Sequence, residues 1–112
     1  MDNITIDSYT LENENGGWLA QVLLTSDGMF SAVSDWGNFA FAWRSIGDCS
    51  FKEFLIGMGV DYFESKMISS VSYMAMGKRV DSFCKNFSRR VLPVLQETLK
   101  KEISSKDENN DN

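Results

Sequence analysis

Residues 34–47 read SDWGNFAFAWRSIG, and the alternation inside this stretch decides the fold class. Phe39, Phe41 and Trp43 occupy every second position, with Ala40, Ala42 and Arg44 between them. A period of two belongs to a half-buried strand, because successive side chains leave opposite faces of an extended backbone. Three large rings on one face need an apolar surface to cover them. The small alanines opposite leave room for close approach.

Toward the N-terminus the same pattern repeats. Asp35-Trp36-Gly37-Asn38 is a turn that feeds the aromatic strand from another at residues 29–34. Ser26-Asp27-Gly28 is a strong hairpin signal, since Asp-Gly tolerates the positive φ of a tight two-residue turn and apolar strands flank it. Residues 18–25, WLAQVLLT, are more continuously apolar and so belong in the middle of a sheet. The polar ENENGG run at 12–17 separates them from an alternating first strand at 3–11. The simplest topology is a four-stranded antiparallel meander.

Toward the C-terminus the period changes. Ser50 and Glu53 form a capping box ahead of a helix whose stripe is Phe51, Phe54, Leu55 and Met58, weakened at its end by Gly57 and Gly59. Residues 61–67 suggest a second short helix, and 68–77 fit loop, strand or helix. From Lys78, Val80, Phe83, Cys84, Phe87, Val91, Val94, Leu95 and Leu99 recur at helical spacing. Pro93 removes a backbone hydrogen bond to the Arg89 carbonyl, so a kink or a junction of two helices is expected near 89–93. The fold class is therefore α+β, with helices packed on one face of the sheet. The domain spans 1–106, followed by an acidic tail at 107–112 that is expected to be disordered. The expected core comprises Ile4, Ile6, Val22, Leu24, Val33, Phe39, Phe41, Phe54, Leu55, Phe83, Phe87 and Leu95.

Composition narrows the function classes. At 43% hydrophobic and 12% aromatic over 112 residues, the chain supports one packed domain and is too apolar for disorder. No apolar run reaches the roughly 18 residues of a membrane helix, and the first residues lack the form of a signal peptide. Cys49 and Cys84 read as reduced, buried thiols in a cytosolic setting.

The net charge of −5 is unevenly distributed. Asp2, Asp7, Glu12, Glu14, Asp27, Asp35 and Asp48 face only Arg44 in the first 51 residues. Lys78, Arg79, Lys85, Arg89, Arg90, Lys100 and Lys101 then dominate 78–101. An acidic sheet beside a basic helix gives a polar molecule that can orient on a charged partner, or simply two solvated faces.

Much catalytic chemistry is missing. There is no histidine, no CxxC pair, and neither a phosphate-binding GxxxxGK[ST] loop nor a GxGxxG fingerprint. The expectation is a protein that is not an enzyme, with no cofactor and no metal. In the helix KRVDSFCKNFSRR bases alternate with aromatics, which would suit nucleic-acid stacking, but Phe83 and Phe87 fall on the apolar stripe and read as core. Trp36 sits in a turn, where it either anchors a partner or folds back on Phe51 or Phe54. Arg44 is expected to pair with Asp35 or Asp48.

The segment from about Trp18 to Met67 carries LLTSDGMFSAVSDWGNFAFAWRSIG, FKEFLIGM and DYFESKM, and it resembles a group of small bacteriophage and prophage accessory proteins. The resemblance covers a little under half the chain and does not extend to the helix from residue 78. It implies a phage-encoded binding protein in the host cytoplasm, of the kind that inhibits host defence, anti-CRISPR proteins among them. The implied partner is a bacterial host protein such as a nucleic-acid-binding defence effector. The residues proposed to meet it are Asp7, Glu12, Glu14, Asp27, Asp35, Trp36 and Arg44, acids that suit a groove built for phosphates. The alternatives are nucleic-acid binding through the basic helix at 78–90, and a self-assembling phage protein, a homodimer formed through the apolar helix stripe.

Overall fold

The computed structural model describes residues 3–71 and 79–110. Four strands come first, β1 (Ile6–Glu12), β2 (Trp18–Thr25), β3 (Met29–Ser34) and β4 (Gly37–Ala42). Three helices follow, α1 (Phe51–Ile56), α2 (Val60–Val71) and α3 (Arg79–Asn110). The strands pair antiparallel in the order β1-β2-β3-β4, so the meander is as the turns imply and β2 is an interior strand. The fold is α+β, and all three helices lie on one face of the sheet.

Each turn follows from its residues. In the first, the Asn13 side-chain carbonyl accepts from the amides of Asn15 and Gly17 at 2.9 and 2.8 Å, the local bonding that favours asparagine in turns. In the second, Gly28 N donates to Thr25 O at 3.2 Å and Gly28 takes φ +98°. That is a three-residue loop closed by a glycine bulge, one residue longer than the tight Asp-Gly turn expected from the sequence. In the third, Ser34 pairs directly with Gly37 across the two-residue loop Asp35-Trp36, and Ser34 Oγ donates to Gly37 O at 2.7 Å.

The helix-facing side of the sheet presents Leu11, Ala20, Val22, Leu24, Phe30, Ala32 and Phe39, all buried. A register shift at Leu11/Glu12 inserts Leu19 as an extra residue, so both Leu19 and Ala20 are covered. The core is built on Phe87 of α3, which stacks on Phe39 with ring centroids 4.2 Å apart and contacts Phe63 of α2 and Phe30. A second aromatic group gathers at the exit of β4, where Trp43 packs on Phe41, Phe51 and Phe54. The tryptophan on the capped helix is therefore Trp43; Trp36 packs elsewhere.

Four of the expected core residues are exposed. Ile4, Ile6 and Val33 are 55%, 65% and 52% accessible, and Phe83 is 40% accessible. Ile6 and Val33 fall on the outward half of the alternation, whose inward half is Asp7, Tyr9 and Leu11 in β1 and Phe30 and Ala32 in β3. Ile4 precedes β1 altogether. Phe83 lies about 100° around the helix from buried Cys84, beyond the margin of the stripe.

α2 extends through Ile68–Val71, which decides the first part of the ambiguous segment for helix; residues 72–77 lie outside the described residues. α3 runs unbroken through Pro93, so no second helix begins there. Pro93 is on the exposed side, where the Arg89 carbonyl it leaves unpaired can meet water. The helix reaches Asn110, four residues into the stretch assigned to the tail; residues 111–112 lie outside the described residues.

Candidate functional site

The half-buried polar groups are drawn together where β1, α1 and α3 meet. Lys52 Nζ donates to Glu102 Oε1 at 2.5 Å and lies 3.0 Å from Asp7 Oδ2, while Tyr9 OH donates to Glu102 Oε2 at 2.6 Å. The ammonium also sits 5.7 Å from the Tyr9 ring centroid. Burial works against the Lys52 charge, but its bonds to Glu102, Tyr9 and Asp7 outweigh that and raise its pKa above the usual 10.5. Burial likewise disfavours the Glu102 carboxylate, and bonds from Lys52 and Tyr9 reverse this to lower its pKa below 4.5. Tyr9 is pushed up to about 12, first by burial and then by the carboxylate it donates to. With every member partnered, this cluster is a clasp that ties α3 to the sheet. It absorbs Asp7, one of the residues proposed to meet a partner.

The other proposed contact residues divide between the two ends of the sheet. Glu12 and Glu14 at the first turn and Asp35 and Trp36 at the third share one end, where exposed Trp18 joins them. Asp27 lies at the opposite end and pairs with Arg44 at 3.8 Å, so Arg44 finds Asp27 in place of the expected Asp35 or Asp48. Both side chains are open to solvent, which makes this a weak pair. Asp27 also accepts a hydrogen bond from Thr25 Oγ1. Trp36 is half-buried and does not reach Phe51 or Phe54. It borders an apolar recess of about 260 Å³ with Phe39, Val71, Val80, Phe83 and Cys84. The Cys84 thiol is buried there, and burial first, then the charges of Asp81 and Glu64, raises its pKa to about 11. Cys49 and Cys84 are both free thiols.

The helix-free face of the sheet has no signature in the local sequence without the strand register. Its cross-strand rows are Ser8–Leu23–Ser31–Ala40 and Thr10–Gln21–Val33–Asn38, with Ile6–Thr25 and Met29–Ala42 beyond them. Gln21 accepts from Thr10 Oγ1 at 2.7 Å and donates to Ser8 Oγ at 2.6 Å, which ties up the polar part of the face. Ile6, Leu23, Met29 and Val33 stand exposed on it. Among the described residues no ionisable side chain lies on this face between the turns; Glu12 stands at its end. The sheet face is therefore neutral, not acidic, because the acids went to turns, where Asp and Asn have backbone reasons to be.

The bases of α3 are on its outer side, where Arg79, Lys85, Arg90, Lys100 and Lys101 are exposed. Arg89 instead reaches Asp61 and Glu64 of α2 at 3.6 and 3.7 Å. The apolar stripe of α3 is fully used inside the chain, since Cys84, Phe87, Val91, Leu95 and Leu99 are all buried. In this fold the stripe packs on the chain's own sheet, so a homodimer formed through it would need the helix to leave that sheet. Among the described residues, no cluster of three potential metal ligands occurs and no helix is long and apolar enough to cross a membrane.

Residues 1–80 match a family described as a phage family. The chain belongs to that family. The matched residues take in the whole sheet, α1 and α2 and stop two residues into α3. The match therefore covers the part of this chain that carries the neutral face and the acidic turns. No match was found among the curated proteins or among the solved structures.

Proposed function

We propose that this phage protein is a non-catalytic binding protein that acts in the host cytoplasm and inhibits a bacterial defence complex by protein–protein contact, in the manner of anti-CRISPR proteins. The observation that carries the reading is the helix-free sheet face. It exposes Ile6, Leu23, Met29 and Val33 on a floor without charge. Glu12, Glu14 and Asp35 lie at one end of it, beside exposed Trp18. An apolar centre with a charged margin is the anatomy of a protein interface. An acidic margin also suits a partner whose own surface is basic because it holds nucleic acid.

The test titrates the protein against purified nucleic-acid-binding defence effectors, with and without their nucleic acid. Leu23→Lys and Val33→Lys should abolish binding, charge reversal at Glu12, Glu14 and Asp35 should weaken it, and added salt should weaken it further. Binding indifferent to the two lysine substitutions refutes the role of the sheet face. Binding indifferent to salt and charge reversal refutes phosphate mimicry.

One observation favours a second reading. Phe83 is exposed on α3 on the same side as exposed Arg79 and Arg90, four residues before and seven after it, so an aromatic and bases are available together for single-stranded nucleic acid. That reading requires a gel shift at low salt that disappears as salt rises, and no shift at low salt eliminates it.

A further inference from the structure

The two edges of the sheet are guarded very differently. β1 carries the inward-facing charge of Asp7, bends at the Leu11/Glu12 irregularity and is held by the Lys52–Glu102 clasp. These are the devices that keep an edge strand from pairing with another chain. β4, GNFAFA, contains no proline, no charge and no register shift, and the C-terminal end of α2 lies beside it at Ser70 and Val71 without taking its outward backbone groups. A neutral edge whose backbone groups have no partner among the described residues is a template for a further strand.

The ladder fixes which of its groups are free. Trp43 N donates to Gly28 O at 2.8 Å, which makes Gly28 and Trp43 a hydrogen-bonded pair. Antiparallel pairs alternate, so Gly37, Phe39 and Phe41 also direct their backbone groups at β3. Asn38, Ala40 and Ala42 therefore point theirs away from the sheet, and among the described residues nothing meets them.

We propose that β4 pairs antiparallel with β4 of a second copy about Ala40, joining two four-stranded sheets into one. Three features of the strand select a copy of itself over another partner. First, a two-fold centred on Ala40 sets Ala40 against Ala40 and Asn38 against Ala42, so every outward group meets an outward group. Each such pair exchanges two bonds, about six in all. Second, the side chains at the junction on the free face are one asparagine and two alanines, small enough for strands to approach. Third, the same register brings the Asp35-Trp36 turn of each copy alongside Arg44 of the other. Opposite charges then meet at both ends, with an aromatic ring beside the guanidinium. Arg44 is 70% accessible in its side chain and held only by its weak, solvent-exposed pair with Asp27. The proposal does not rest on the host-binding reading, and it is measured with no host protein present.

A junction of one short strand is at the small end of interface sizes, below about 1,200 Å², which corresponds to a weak association with a dissociation constant in the micromolar range. Sedimentation equilibrium from about 1 to about 500 μM brackets it. The mass should rise from 12.7 kDa toward twice that value. Ala40→Pro removes the central donor, and Ala40→Lys sets like charges opposite one another across the two-fold. Each should weaken association at least about tenfold with an unchanged far-ultraviolet circular dichroism spectrum. If Ala40→Pro does not fold, Ala40→Lys and Ala42→Lys decide the matter. Arg44→Glu should weaken the dimer, and adding Asp35→Arg should restore it. Leu23→Lys, on the same face but away from the edge, should leave it intact. A monomer across the whole range, dimerisation unaffected by Ala40→Lys, or loss of the dimer in Leu23→Lys would each overturn the proposal.

Discussion

Replacing Lys52 with methionine keeps the length of the side chain and removes the charge shared by Asp7 and Glu102. The side chains of Lys52 and Glu102 are 20% and 26% accessible, between the surface pairs worth about 1 kcal/mol or less and the buried ones whose disruption costs about 3–5 kcal/mol. Asp7, at 47%, is largely solvated and adds little. A loss of about 2 kcal/mol at neutral pH follows. An unfolding entropy of about 2.1 cal/mol/K per residue, over 112 residues, gives about 0.24 kcal/mol/K, so Tm should fall by about 8 °C. The dependence on pH makes the test specific. The Glu102 pKa is lower in the folded chain than its usual 4.5, so its contribution is complete above that value and disappears as pH falls through the folded pKa. The Lys52 pKa is raised, so its contribution is complete below 10.5 and is lost only as pH climbs through the higher folded value. Thermal unfolding of the native chain and of Lys52→Met should differ most across the interval between 4.5 and 10.5 and converge in acid. Equal Tm values at neutral pH, or a gap that persists undiminished well below pH 4.5, would refute the clasp.

Four further outcomes follow from the packing. Gly28→Ala should cost about 2 kcal/mol or more in urea unfolding, because φ is +98° and the new Cβ would sit 2.1 Å from the Trp43 carbonyl oxygen. Phe87→Ala should cost about 3–5 kcal/mol, whereas Phe83→Ala, half in solvent, should cost about 1 kcal/mol or less; denaturant midpoints with a common m value measure both. Gln96 Nε2 reaches the carbonyls of Leu55, Ile56 and Met58 at 2.9, 3.2 and 2.8 Å, so Gln96→Glu should destabilise by about 2 kcal/mol at neutral pH and recover in acid. Ser88→Ala should leave Tm unchanged or raise it, because the buried Ser88 hydroxyl has no hydrogen-bond partner among the described residues to lose.

What local sequence could reveal was set by how local the determining forces are. β2 and β3 begin and end where turn residues and alternation place them, since Gly and Asp act on their own backbone. Phe39 and Trp43 are buried as the period of two requires. Ile6 and Val33 face outward, against expectation, because hydrophobicity alone does not say which half of an alternation faces inward. The answer for β1 lay in Lys52 and Glu102, which turn Asp7 and Tyr9 toward the helices from far along the chain. For the same reason the sequence located individual acids but not their grouping. Turns that alternate between the ends of a meander separate Asp27 from Asp35, eight positions later. The neutral face was legible in principle, through the uncharged alternates of strands 2 to 4. It becomes visible only once the register is known.

The way α3 closes the core also governs the order in which the molecule can be made. The sheet and both short helices are translated first, yet Phe30, Phe39 and Phe63 meet Phe87 only when α3 arrives. A nascent chain halted before Phe87 would display a bare aromatic floor to chaperones and proteases. Premature stop codons within that helix should therefore produce rapid clearance, even where every residue of the matched region has been synthesised.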